Sequence, residues 1–163
     1  MGVDWLGSRV TVQVEAPRGS FVKRAPDGRV DVVSPVPCPF NYGFVPGEVA
    51  GDGDPLDAII LGRRLAVGWT GSLRVFGVVD FVDAGCADPK LVCSQRRPNA
   101  LQRAAVCGFF WTYVPFKRAL AFVRGAGNPT RVRGIYWLPS GAGVGSPSGA
   151  SLGASVGSES DAS

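Results

Sequence analysis

The sequence predicts a mainly β fold, a closed or nearly closed barrel of short strands with helix following it. Three observations carry this. Short β-branched runs recur between Pro/Gly turns as far as Ser94, the apolar period becomes helical after Asn99, and the residues beyond Pro139 contain no aromatic side chain. The 23 glycines and 13 prolines among 163 residues favour a turn-rich fold over a helical bundle.

The elements follow in order. "RVTVQVEAP" alternates, with Val10, Val12 and Val14 on one face and Thr11, Gln13 and Glu15 on the other, as a half-buried strand does. "SFVKRAPDGRVDVV" reads as two strands around a Pro26-Asp27-Gly28 turn. "SPVPCPFNYGFVPG" is expected to be an extended, ordered loop ending in a short strand. "LDAIIL", "SLRVFGVVDFV" and "KLVCS" complete a turn-separated set of strands, the pattern of a small barrel. Pro98-Asn99 is a helix start, and Leu101, Ala105, Gly108/Phe109 and Thr112/Tyr113 recur at helical spacing. Pro115 interrupts that helix, and "FKRALAFVRG" continues it for a further turn or two. From Pro139 onward 14 of 25 residues are Gly or Ser, so residues 139–163 read as a disordered tail on a 1–138 domain.

Charge and composition exclude several chemistries. All 17 Lys and Arg precede Pro139 while two of the 13 acids follow it, so the body carries +6 against +4 for the whole chain. A basic body with a tight acid cluster suits an anionic ligand held through a divalent metal. It also suits nucleic acid, but no K/R-rich run or RNP motif occurs, and no nucleic-acid partner is expected. There is no histidine, and Cys38, Cys86, Cys93 and Cys107 form no C-x-x-C pair. Cys/His zinc sites, Ser-His-Asp and Cys-His catalysis and histidine bases are thereby excluded. "MGVDWLGSRV" has neither a basic n-region nor an apolar h-region, and "AAVCGFFWTYVPF" is too short and interrupted to span a bilayer. A cytoplasmic protein with reduced thiols and no membrane partner is the expectation.

"GDGDPLDAIIL", residues 51–61, crowds Asp52, Asp54 and Asp57 against an apolar strand. An EF-hand is ruled out, because the twelfth position from Asp52 is Arg63 rather than Glu. A phosphatase D-x-D nucleophile follows its strand rather than preceding it, and no P-loop occurs. Two placements remain: a solvated turn, or a hard-metal cage in which an extended segment projects Asp52 and Asp54 to one side. "DAGCADPKLVC" sets Asp83, Asp88 and Lys90 around a second turn ahead of a strand. The two acid-bearing turns either meet at the barrel mouth or are unrelated surface loops.

Taken in order, "VEAPRGSFVK", "PCPFNYGFVPG", "GDGDPLDAIILG", "DAGCADPKLVCS" and "FFWTY" resemble the motifs of soluble family I inorganic pyrophosphatases over about residues 8–117. The resemblance implies an OB-like five-stranded β-barrel with one or two C-terminal helices packed outside. It implies hydrolysis of inorganic pyrophosphate to two orthophosphates with several Mg²⁺ ions, and a homo-oligomer whose size is left open. Carried over by position, Asp52, Asp57 and Asp88 are implied ligands of the tight-binding metals. Asp83 holds a substrate-linked metal, with Glu15 in its outer shell. Asp54 is the implied catalytic base, and Lys23, Tyr42, Lys90 and Tyr113 are implied phosphate contacts.

The chain departs from the family pattern at Ala25, Val32, Cys38, Ala84 and Val114. Val32 stands where the pattern has a phosphate-binding arginine, with Arg18, Arg24 or Arg29 as candidate replacements, and Lys117 lies about a helical turn after Tyr113. Because all the metal aspartates remain, an active, divergent enzyme is expected. The rival is a pyrophosphatase-like module that binds metal and phosphate without turnover. A nucleic-acid-binding barrel is a weaker third reading.

Overall fold

A computed structural model describes residues 2–24, 29–33, 37–83, 85–123 and 130–141. After a 3₁₀ turn at Gly2–Trp5 come β1 (Arg9–Ala16), β2 (Val22–Arg24), β3 (Val30–Val33), β4 (Asn41–Val49), β5 (Pro55–Ile60), β6 (Thr70–Asp83), β7 (Cys86–Ala87) and β8 (Lys90–Ser94), then α1 (Ala100–Val123) and β9 (Arg131–Trp137). The strands β1-β4-β5-β8-β6 pair in that order, and β6 pairs back onto β1, closing a five-stranded barrel. All pairs on this circuit are antiparallel except β5–β8, which is parallel. β9 joins the outer edge of β6, and β2–β3 form a separate hairpin. The turn of that hairpin (25–28) and the expected tail beyond Gly141 lie outside the described residues. Among the described residues no helix is long and apolar enough to cross a membrane.

Strand alternation sorts the core into two layers. Val10, Val12, Val14, Ala58, Ile60, Leu91 and Cys93 fill the barrel interior. The alternate residues Ile59 and Val92, with Phe81, face outward and pack under Val106 and Phe110 of α1. Burying Phe81 and Phe110 is worth about 1.5–3 kcal/mol each, so this second layer fixes the helix to the wall. β1 and β4 approach so closely that a Cβ on Gly43 would lie 1.9 Å from the Gln13 carbonyl oxygen, which only glycine tolerates.

Three expectations change here. The "PFNYGFVPG" stretch forms a nine-residue strand from Asn41 rather than a loop with a short strand, because β1 and β5 pair with both its sides. α1 runs unbroken through Pro115. Pro115 lies on an exposed part of the helix, where its ring meets no packed layer among the described residues, and the helix continues through it. β9 was not foreseen, although "RVRGIYW" is rich in β-branched and aromatic residues.

Asn99 caps α1 as expected: its Oδ1 accepts from the Gln102 N–H at 2.8 Å, and Gln102 Oε1 accepts from the Asn99 N–H at 3.0 Å.

Candidate active site

The parallel β5–β8 pair builds the site. Both strands start at the same end of the barrel, with Ala58 opposite Leu91. Asp57 and Lys90 each lie one residue earlier, so both fall on the outward parity of Ile59 and Val92. Lys90 Nζ donates to Asp57 Oδ2 at 2.5 Å and to Asp88 Oδ2 at 2.8 Å. Tyr42 on β4 is opposite Ile59, a diagonal neighbour of Asp57, and its hydroxyl donates to Asp57 Oδ2. The Lys90 ammonium also lies 5.0 Å from the Phe81 ring centroid and 5.9 Å from that of Tyr42. α1 closes the cluster from above: Tyr113 stacks on Phe109 at 5.3 Å and lies 6.3 Å from Phe81.

The two acid-bearing turns meet. A Cβ on Gly51 would stand 3.0 Å from the Ala87 carbonyl oxygen, so the 51–54 loop abuts the segment leading to Asp88. They meet beside the starts of β5 and β8, where Asp57 and Lys90 lie on the outward face of the sheet. Residues 51–54 are also a turn and not extended. Gly53 has φ +91°, and Asp52 Oδ1 accepts from the Asp54 N–H at 3.1 Å. Asp52 and Asp54 are both exposed. The pleat therefore does not set where those two carboxylates point; the loop does.

Electrostatics follow from this crowding. Burial disfavours the Lys90 ammonium, but Asp57 and Asp88 outweigh that and hold it above the ordinary lysine value. Burial pushes the Asp88 carboxyl up; Lys90 works against this, while the charges of Asp57 and Asp52 add to the rise. Burial, reinforced by Asp57, holds the Tyr42 phenol well above its usual value, so Tyr42 stays a donor. The Asp88 carboxylate thus feels two others while it shares the Lys90 ammonium with Asp57, an excess of negative charge built from hard oxygen donors. Among the described residues no three acids stand close enough to close an all-protein cage. That donor set fits Mg²⁺, which keeps waters and shares its shell with phosphate instead of filling it from protein.

The remaining predicted residues are placed less centrally. Glu15 is buried at an irregularity in β1, between the Val14–Gly43 and Ala16–Tyr42 pairs, which carries it beside Tyr42. Asp83 ends β6, where its Oδ1 accepts from the Thr130 hydroxyl at 2.8 Å. Lys23 pairs Val32 through the backbone of β2 and β3, but the side chains of Lys23, Arg24 and Lys117 lie outside the described residues, as do Ala25 and Ala84. Arg18 is held at the loop after β5, with Nη1 donating to the Gly62 carbonyl at 3.3 Å.

Sequence reasoning missed Asn41, Phe81 and Thr130. Asn41 is fully buried and makes four hydrogen bonds. It accepts from the Arg18 and Leu65 N–H groups and donates to the Ile60 and Arg63 carbonyls, tying the ends of β1 and β5 together. Its place in the "PCPFNYGFVPG" motif, as a polar residue inside an apolar run, was the signal. A shallow pocket by Phe76, Arg97, Arg103 and Trp137 lies elsewhere. The Arg97 fork there is spent on the Leu138 and Pro139 carbonyls.

Fold and site together define a closed barrel that gathers acids, a lysine and tyrosines on its outer wall beneath one helix. A family model described as inorganic pyrophosphatase matches residues 12–106, more than half of the chain. The chain belongs to the inorganic pyrophosphatase family. It is 33% identical over 92 residues to the inorganic pyrophosphatase of Synechocystis, covering 52% of this chain and 54% of that protein. The chain thus spans about half the length of the curated relatives it matches. The crystal structure of an inorganic pyrophosphatase from Neisseria gonorrhoeae superposes with TM-score 0.64 at 25% identity, over 81% of this chain and 84% of that one. That of the Thermus thermophilus inorganic pyrophosphatase gives 0.61 at 28%, over 80% and 83%.

Proposed function

We propose that this chain hydrolyses inorganic pyrophosphate to two orthophosphates with Mg²⁺ and an aspartate base. The observation that carries the reading is the Lys90 ammonium held between Asp57 and Asp88 beside Tyr42, in a chain of this family. The clustered carboxylates alone would repel pyrophosphate, so the substrate needs cations between itself and the wall. Asp52, Asp57 and Asp88 are the proposed ligands, with Asp83 holding a further, substrate-linked ion and Glu15 supporting from behind. When bound, divalent ions neutralise that repulsion and activate water for attack. Lys90 commits two of its three hydrogens to Asp57 and Asp88, leaving the third for a phosphate oxygen. Tyr42, Tyr113 and Lys23 are the other proposed donors, stabilising charge on the departing phosphate. Asp54, exposed in its loop, is the proposed base that takes the proton of the attacking water, in a chain that has no histidine for that role.

The deciding experiment is phosphate release from Mg²⁺-pyrophosphate by the purified protein and by Asp54→Asn. Turnover by wild type and its loss in the variant are expected. Val32 at the pattern's arginine position favours a second reading, a module that binds pyrophosphate without turnover. Binding by calorimetry with no phosphate released under any divalent metal would establish that reading instead. The proposal extends to a cytoplasmic, homo-oligomeric protein. It is supported by four free cysteines and by Leu101 and Trp111, each 79% exposed on α1; light scattering at the eluting peak tests the assembly.

A further inference from the structure

Asp83 differs from the other proposed ligands in what holds it. One support comes from beyond residue 106, where the family match ends. The Thr130 hydroxyl donates to Asp83 Oδ1 at 2.8 Å. Thr130 is buried, 4% exposed, just before β9, whose first residue Arg131 pairs with Val82. Its own carbonyl accepts from Arg118 Nε of α1 at 2.8 Å. The threonine is thus fixed through backbone and side chain at once.

We infer that Thr130 is a positioning residue for Asp83, setting the carboxylate's orientation toward a divalent cation. A hydroxyl donating to one carboxylate oxygen restricts rotation of the group. The entropy of orienting it is then lost on folding and not on metal binding. This inference rests on the reading of Asp83 as a metal ligand.

The test is a Mg²⁺ titration of thermal stability in wild type, Thr130→Val and Thr130→Ser, with a non-hydrolysable pyrophosphate analogue present because the ion proposed for Asp83 is substrate-linked. Valine keeps the shape and removes the donor; serine keeps the donor. Thr130→Val is expected to need about ten-fold more Mg²⁺ for half-maximal stabilisation, with Thr130→Ser close to wild type. If the hydroxyl only ties β9 to β6, Thr130→Val melts lower in EDTA yet titrates at the wild-type Mg²⁺ concentration, and the inference fails while the proposed function stands. A wild type unresponsive to Mg²⁺ overturns both.

Discussion

Asp57 and Asp88 stand at the starts of two adjacent strands, with side chains 15% and 11% exposed, sharing one ammonium between them. Asp52 and Asp54, only a few residues before Asp57, are exposed in a turn where the Asp54 N–H donates to Asp52 Oδ1. The first pair is placed by sheet register and paired charge, and cannot move without breaking the wall. The second is placed by loop geometry and faces solvent. Substitutions in the wall should therefore be felt as stability as well as turnover, and substitutions in the loop as turnover alone.

Lys90→Met is the harshest way to break that division. It leaves Asp57 and Asp88 buried against each other with no cation, and should cost about 3–5 kcal/mol in urea unfolding. A loss under 1 kcal/mol would mean the wall does not depend on its central charge. Gly43→Ala comes next. The added methyl meets the Gln13 carbonyl, forcing β1 from β4, and roughly 3 kcal/mol of destabilisation is expected.

Asp54→Asn probes the other side. Unfolding should shift by no more than about 0.5 kcal/mol, while phosphate release falls at least ~100-fold. A variant as active as wild type removes Asp54 as the base, and one that unfolds readily removes the contrast itself. Tyr42→Phe is the mildest. Losing the hydroxyl that donates to Asp57 should cost about 1–1.5 kcal/mol, read as a lower thermal midpoint.

Much of the architecture was legible because it rests on short-range pattern. The Val10/Val12/Val14 alternation, the strand after Pro55 and the Asn99 cap are each specified within a few residues. Length and Pro misled in two places. "PFNYGFVPG" looked too broken for a strand, yet neighbours on both sides hold it extended, and α1 continues through an exposed Pro115. For the site, five motifs in order pointed to Tyr42, Asp57, Asp88 and Lys90, side chains that the sheet brings together. The direction of those side chains was not legible, since nothing local says whether Asp57 lies on the inner or outer parity of a closed sheet.

By itself, then, the sequence determined the ingredients. With no histidine, hard-oxygen chemistry was what remained, and two acid-bearing turns each led into an apolar strand. Tertiary structure decided what those ingredients share. Only a parallel β5–β8 pair sets both strand starts at one end, and only barrel closure makes their outward faces a wall for α1 to cover. Pairings such as Lys90 with Asp57 and Thr130 with Asp83 join residues 33 and 47 positions apart. Such contacts depend on register and topology, which the whole sheet sets together.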